Sequence, residues 1–188
     1  MTYMKHSILN IVNDIKPFDA LEKKHKDDVI AWVESDEPLF RISKPDNPPK
    51  HLVSYFVLFD ERTNEIMLID HRKAEAWLPT GGHVDIDEDP RTTVLREAYE
   101  ELQITGKFDT VFGKDAIFIT VNKTKGEGSH TDVSLWYVIS GSSQVKLVYD
   151  TREMNSYKWL SLEEVLAMDI TELDPNMHRF IHKMQTLQ

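Results

Sequence analysis

"GGHVDIDEDPRTTVLREAYEEL", residues 81–102, holds seven acidic residues between Asp85 and Glu101 against two basic ones, Arg91 and Arg96. Asp89 and Pro90 suit an N-cap and a first helical residue, so the stretch predicts a helix from about Pro90 to Leu102. Val94, Leu95, Ala98 and Leu102 then fall on one side, the expected core face, and Glu97, Glu100 and Glu101 gather on the opposite side. Like charges at this spacing cost roughly 0.2–0.5 kcal/mol per pair on an isolated helix. Something should offset that cost.

A solvated face is the ordinary reading of three glutamates, and three features of context weigh against it. Two glycines directly follow the apolar "AWLPT", as suits a strand whose backbone must approach something closely. Arg96 sits roughly 100° around the helix from Glu97 and cannot neutralise all three acids. Further acids occupy the loop before the helix. Hard divalent cations take oxygen ligands, and Mg²⁺ uses a few carboxylates together with substrate phosphates and water. A calcium loop fails on chemistry. Asp85, Asp87 and Asp89 match its first ligand positions, but Pro90 stands where glycine is required and Arg96 where a bidentate glutamate is required.

Working outward, "HLVSYFVLFD" (51–60) and "EIMLIDH" (65–71) predict strands joined by the turn "ERTN". "FDTVF" (108–112), "AIFITVN" (116–122), "TDVSLWYVIS" (131–140) and "YKWL" (157–160) predict further strands, and "NKTKGEGSH" (122–130) reads as a mobile loop. Two helices are expected near the N-terminus. "HSILNIVNDI" ends near Pro17, and the second opens on the Asp19/Glu22 capping box with Leu21, Val29, Trp32 and Val33 as its buried stripe. Two more lie near the C-terminus: "SLEEVLAM", capped by Ser161 and Glu164, and "PNMHRFIHKMQTL", with Asp174 as N-cap and Pro175 as first residue. The stiff "PDNPP", residues 45–49, marks a boundary between a helical extension, residues 1–44, and a main domain, residues 45–188. Strands mixed with a few helices predict an α/β fold with a mixed sheet.

Composition narrows the function. With 188 residues, 40% hydrophobic and 29% charged, the chain has room for one well-filled core. A formal charge of −10 and a pI near 5.2 argue against a nucleic-acid partner, whose phosphates call for Lys and Arg. The absence of cysteine excludes disulfides, thiolate metal sites and cysteine nucleophiles. No stretch approaches the ~20 apolar residues of a membrane span, and the N-terminus lacks the apolar core of a secretory signal, so the expectation is a cytoplasmic protein.

From Gly82 through Glu88, Arg96, Glu97, Ala98, Glu100 and Glu101 to Ile104, the spacing resembles the Nudix box, with Gln103 in place of its last glycine. "HLVSYFVLFD", "EIMLIDHR" and "WLPTGGH" are similar to the strands that lead into the box in that family. The resemblance implies a Nudix-type α/β/α sandwich with a mixed sheet. It also implies a pyrophosphohydrolase cleaving a nucleoside diphosphate linked to another moiety. It makes Mg²⁺, with Mn²⁺ as the alternative, the cofactor, and Glu97, Glu100, Glu101 and the Gly81 carbonyl its ligands. Glu97 and then Glu101 are the candidates for general base, and Arg96 is expected to orient Glu88. By analogy with MutT-like members, Glu153 is expected to add a metal-binding acid from a later loop. Arg72, His83 and His130, beside Asp132, are the expected substrate contacts, while Trp77 reads as packing. A homodimer stays open. The other readings are a non-catalytic ligand-sensing module, whose box should lose acids, and the isopentenyl diphosphate isomerase branch, which uses a cysteine.

Overall fold

The computed structural model describes residues 3–43, 47–124 and 129–188. Helices α1 (Tyr3–Asp14) and α2 (Ala20–Glu34) precede strands β1 (Lys50–Asp60), β2 (Glu65–His71), β3 (Ala76–Leu78) and β4 (Thr80–His83). Helix α3 (Pro90–Leu102) is followed by β5 (Phe118–Lys123), β6 (Thr131–Ser140) and β7 (Met154–Ser161). A short helix α4 (Leu162–Ala167), a 3₁₀ turn (Ile170–Glu172) and α5 (Met177–Leu187) complete the described elements. The strands form one sheet in the order β3-β2-β1-β6-β5, with β4 paired to β1 and β7 to β2. This is the mixed α/β class with N-terminal helices that the sequence patterns predict. Among the described residues no helix is long and apolar enough to cross a membrane.

The chain divides into two compact units. One comprises Met1–Tyr55, Gly81–Val94 and Asp115–Tyr137, the other Phe56–Thr80, Leu95–Lys114 and Val138–Gln188. The expected boundary at residues 44 and 45, and residues 125–128 of the expected mobile loop, lie outside the described residues.

In the first unit, α2 packs on β5. Asp19 caps α2 by accepting from the Glu22 amide at 2.8 Å. Val29, Trp32 and Val33 are buried as expected, but Leu21 is 45% exposed and Glu22 takes the inward place. The Glu22 carboxylate accepts from the Phe18 amide at 2.6 Å and from the Ile119 amide of β5 at 3.3 Å. These two donors offset the cost of burying a charge. Gly81 explains the glycines. Its φ is +151°, and a Cβ there would lie 2.2 Å from the Ser54 carbonyl oxygen, so β4 can lie against β1 only without a side chain.

In the second unit, β1 and β2 form an antiparallel hairpin, with Phe59 opposite Ile66 and Asp60 opposite Glu65. β7 pairs along β2 from Glu65↔Ser161 to His71↔Met154. Asp60 is 1% exposed and accepts from the Ser143 amide at 2.8 Å and the Arg62 amide at 3.1 Å. The strand expected over 108–112 does not form, apart from one bridge between Phe108 and Ile139. Asp109 Oδ1 accepts from the amides of Val111 at 2.8 Å and Phe112 at 3.3 Å, and this local turn takes the donors a ladder would need. Helix α5 starts at Met177 rather than Pro175, because Asp174 accepts from the Asn176 amide at 2.8 Å and closes a turn first. The Ser161/Glu164 capping box of α4 forms as expected.

Helix α3 has the expected bounds, and Val94, Ala98 and Leu102 are buried. Leu95, expected in the core, is 37% exposed; its side chain lies over Gly106, where an added Cβ would come within 3.0 Å of it. Gln103 ends the helix with φ +53°, its amide donating to the Tyr99 carbonyl at 3.0 Å. This is the left-handed cap usually filled by glycine, so the exit geometry survives the substitution at a cost in strain.

Two predictions follow from these contacts. Gln103→Gly should raise stability by roughly 0.5–1 kcal/mol, since relief of left-handed strain exceeds the entropy gained by the unfolded chain; a lower urea midpoint for the variant would contradict it. For Asp60, burial alone would raise the carboxyl pKa, but the donors from Ser143 and Arg62 outweigh it and hold the group below the usual carboxylate range. Its stabilisation is therefore present above the unfolded-state pKa and is lost as pH falls through the lower folded value. Asp60→Asn should cost about 1–3 kcal/mol near neutral pH, and urea melts should find that deficit shrinking as the pH falls into the acid range.

Candidate active site

Glu97, Glu100 and Glu101 from the C-terminal half of α3 line one depression of about 330 Å³ with Asp150, Arg152 and Glu153 from the segment before β7. All six belong to the second unit. The helix end holds the loop in place. The last carbonyls of a helix lack intrahelical partners, and the Asp150 amide donates to the Glu101 carbonyl at 2.9 Å. The amides of Glu153 and Met154 in turn donate to the Asp150 carbonyl at 3.2 and 3.1 Å, so a tight turn presents Glu153 to the same space as the helix acids.

Arg96 Nη1 bridges Glu97 at 2.7 Å and Glu100 at 3.3 Å. Glu97 is the more enclosed of the two acids, its side chain 12% exposed against 55% for Glu100. Arg152 grips both oxygens of Asp150 and holds that carboxyl well below its usual range, to about 2. Five carboxylates around the depression thus meet two guanidiniums, Arg96 and Arg152, which leaves negative charge in excess. The donor set is entirely oxygen and its charge is only partly balanced. It fits a hard divalent cation such as Mg²⁺ or Mn²⁺ better than a metal that prefers nitrogen or sulfur.

Of the remaining expected site residues, Arg72 belongs to the second unit and Gly81, His83, Glu88 and His130 to the first. Glu88 Oε2 accepts from Thr93 Oγ1 at 2.7 Å and from the Asp85 amide at 3.2 Å, which fixes the loop ahead of α3. Gly81 lies in β4 against β1. Arg72 is exposed, and its amide donates to the Glu153 carbonyl at 3.0 Å, which ties it to the acidic loop. His83 and His130 do not line the depression; their rings lie 4.8 and 5.0 Å from that of His51. Trp77 is packed, with Lys158 Nζ 3.9 Å above its ring. Sequence reading missed His51 entirely and the pairing of Asp150 with Arg152. The second had a signal, since an aspartate two residues before an arginine recurs at Asp60/Arg62 and Asp89/Arg91 with the same local ion pair.

Residues 49–184 match the NUDIX domain family. The chain is 27% identical over 145 residues to the probable DHNTP pyrophosphohydrolase of Lactococcus lactis subsp. cremoris, covering 75% of this chain and 82% of that protein. Among solved structures, a MutT protein from Methanosarcina mazei superposes with a TM-score of 0.56 at 21% identity, covering 73% of this chain and 94% of that one. The E. coli dihydroneopterin triphosphate pyrophosphohydrolase gives a TM-score of 0.53 at 15% identity, covering 77% and 98%. At these identities the two structures speak for the fold, while the family match spans the acidic helix and its loop. The chain therefore belongs to the NUDIX domain family, as a MutT-like hydrolase acting on pyrophosphate bonds.

Proposed function

We propose that this hydrolase is a Mg²⁺- or Mn²⁺-dependent enzyme that cleaves a nucleoside diphosphate linked to another moiety. The observation that carries this reading is the shared depression of Glu97, Glu100, Glu101 and Glu153, with acidic charge left in excess. These four carboxylates would hold the metal. A bound divalent ion neutralises phosphate charge and acidifies water in such reactions. Glu97 takes the proton from the attacking water, with Glu101 as the second candidate. Arg96, at 2.7 Å, holds the Glu97 carboxylate in place as a positioning residue. Its alignment of Glu88 rests on the motif alone.

Arg72 is the proposed phosphate contact, because its backbone bond to Glu153 keeps it beside the acidic loop while its side chain reaches solvent. The name of the Lactococcus relative makes dihydroneopterin triphosphate the first substrate to assay, followed by nucleoside triphosphates, nucleotide sugars and dinucleoside polyphosphates. The division into a helical segment, residues 1–44, and a hydrolase domain, residues 45–188, is part of the same proposal and is supported by a family match that begins at residue 49.

Glu97→Gln, Glu100→Gln and Glu101→Gln should each lower turnover about tenfold or more, and EDTA should abolish it. The fold should persist by circular dichroism, since the buried face of α3 is untouched. Full activity in EDTA or in the triple variant would refute metal dependence. Glu153→Gln should lower kcat more than it raises KM, the pattern of an interaction made mainly in the transition state. Steady-state kinetics across a Mg²⁺ titration would check this, and an unchanged kcat would remove Glu153 from the site.

A further inference from the structure

Three histidines and an aspartate, none of them lining the acidic depression, meet within the first unit. His51 is the second residue of β1, His83 ends β4, and His130 and Asp132 flank the first residue of β6. One ligand atom from each lies within 4.8 Å of those of the other three. The His51 and His130 rings stack at 5.0 Å, and Asp132 Oδ1 is 3.4 Å from His51 Nε2 and 3.2 Å from His130 Nε2.

The tautomer of His51 makes this arrangement informative. Its side chain is fully buried, and Nδ1 lies 2.9 Å from the Pro48 carbonyl, which can only accept; Nδ1 therefore carries a proton and donates it. In the neutral ring the Nε2 lone pair then faces the Asp132 carboxylate, and neither Nε2 nor Asp132 Oδ1 makes a hydrogen bond despite complete burial. Two acceptors facing each other repel unless a cation lies between them. The backbone carbonyl behind His51 is also the usual partner for the second ring nitrogen of a metal-bound histidine.

We infer that His51, His83, His130 and Asp132 form a second metal site, for Zn²⁺ or a similar divalent ion that prefers nitrogen, stapling the start of β1 to β4 and to the start of β6. Imidazole with one carboxylate suits such ions, and four protein ligands make a closed, structural site. A tetrahedral site with bonds of ~2.0–2.1 Å is tighter than the present spread. His130 and Asp132, whose side chains are 17% and 14% exposed, are the ligands that would draw inward. The charged group that faces the rings from elsewhere is Arg41. Burial, with the charge of Arg41, holds the His83 imidazole down to about 4, which leaves it in the neutral, ligating form. The same charge opposes a bound dication, and Asp132 offsets it. His51 is raised, since its contacts with Asp132 and Pro48 outweigh burial, so a proton competes with the metal as pH falls. Metal ligation replaces the substrate role first expected for His83 and His130.

The test uses the full chain carrying Glu97→Gln, Glu100→Gln and Glu101→Gln, so that those acids do not compete for metal. Zn²⁺ should bind at one ion per chain and raise the melting temperature by mass action, where Mg²⁺ does not. Co²⁺ should give the visible bands of nitrogen ligation, and X-ray absorption of the Zn²⁺ form should show imidazole scattering. Adding His130→Gln or Asp132→Asn should weaken Zn²⁺ binding by about tenfold or more. No Zn²⁺ uptake, carboxylate-only coordination, or uptake indifferent to both added changes would overturn the proposal and leave a proton as the cation between His51 and Asp132. If the added changes prevent folding, the absorption spectrum of the triple variant alone still decides.

Discussion

The acidic depression depends on which way α3 is turned. Ala98 and Leu102 are 0% and 1% exposed, and their burial sets the rotation of the helix about its axis. Turning it by one residue, roughly 100°, would drive a glutamate carboxylate toward the apolar interior at an effective cost of several kcal/mol. Apolar burial thus compels Glu97, Glu100 and Glu101 to remain neighbours in spite of their repulsion. The helix end then adds a further acid: its free Glu101 carbonyl binds the Asp150 amide, and the turn that begins there carries Glu153 to the same depression.

The local ion pairs modulate this charge without removing it. Arg96 is shared between Glu97 and Glu100, and Arg152 is committed to Asp150. Pairs this open to solvent contribute little to stability, so their value lies in orientation. Asp150 is kept ionised and engaged, while Glu153, on the same turn, is exposed. A hydrolase of pyrophosphate bonds needs such an arrangement, because phosphoryl transfer depends on positioning and charge neutralisation more than on covalent chemistry.

Elsewhere, carboxylates do structural work. Glu22, Asp60 and Asp109 are 0%, 1% and 4% exposed, and each accepts backbone amides: from Phe18 and Ile119, from Arg62 and Ser143, and from Val111 and Phe112. A carboxylate with two well-aimed amides joins segments that no disulfide can join in a chain without cysteine. Glu22 links α2 to β5 across 97 residues, which makes the N-terminal helices part of the packing of the first unit.

The sequence by itself determined the elements whose signals are local: the bounds of α3 from Asp89-Pro90 and its apolar period, the Ser161/Glu164 cap, the β1–β2 hairpin, and the acidic face with its family spacing. The family resemblance added Glu153 to the expected site acids. Tertiary structure decided what local pattern cannot encode. Leu21 and Glu22 exchanged inside for outside because two backbone donors, one of them on β5, were waiting for a carboxylate. Residues 108–112 carry strand-like apolar residues, yet Asp109 spends the amides on a turn. Four ligand atoms came within 4.8 Å only because β4 lies against β1 at Gly81 and β6 starts beside His51. Histidines 51, 83 and 130 are too far apart in sequence for any spacing rule. A helix or a cap is set by interactions over three or four residues, whereas a site built from strand ends is set by chain pairing, which is settled only when the whole sheet forms.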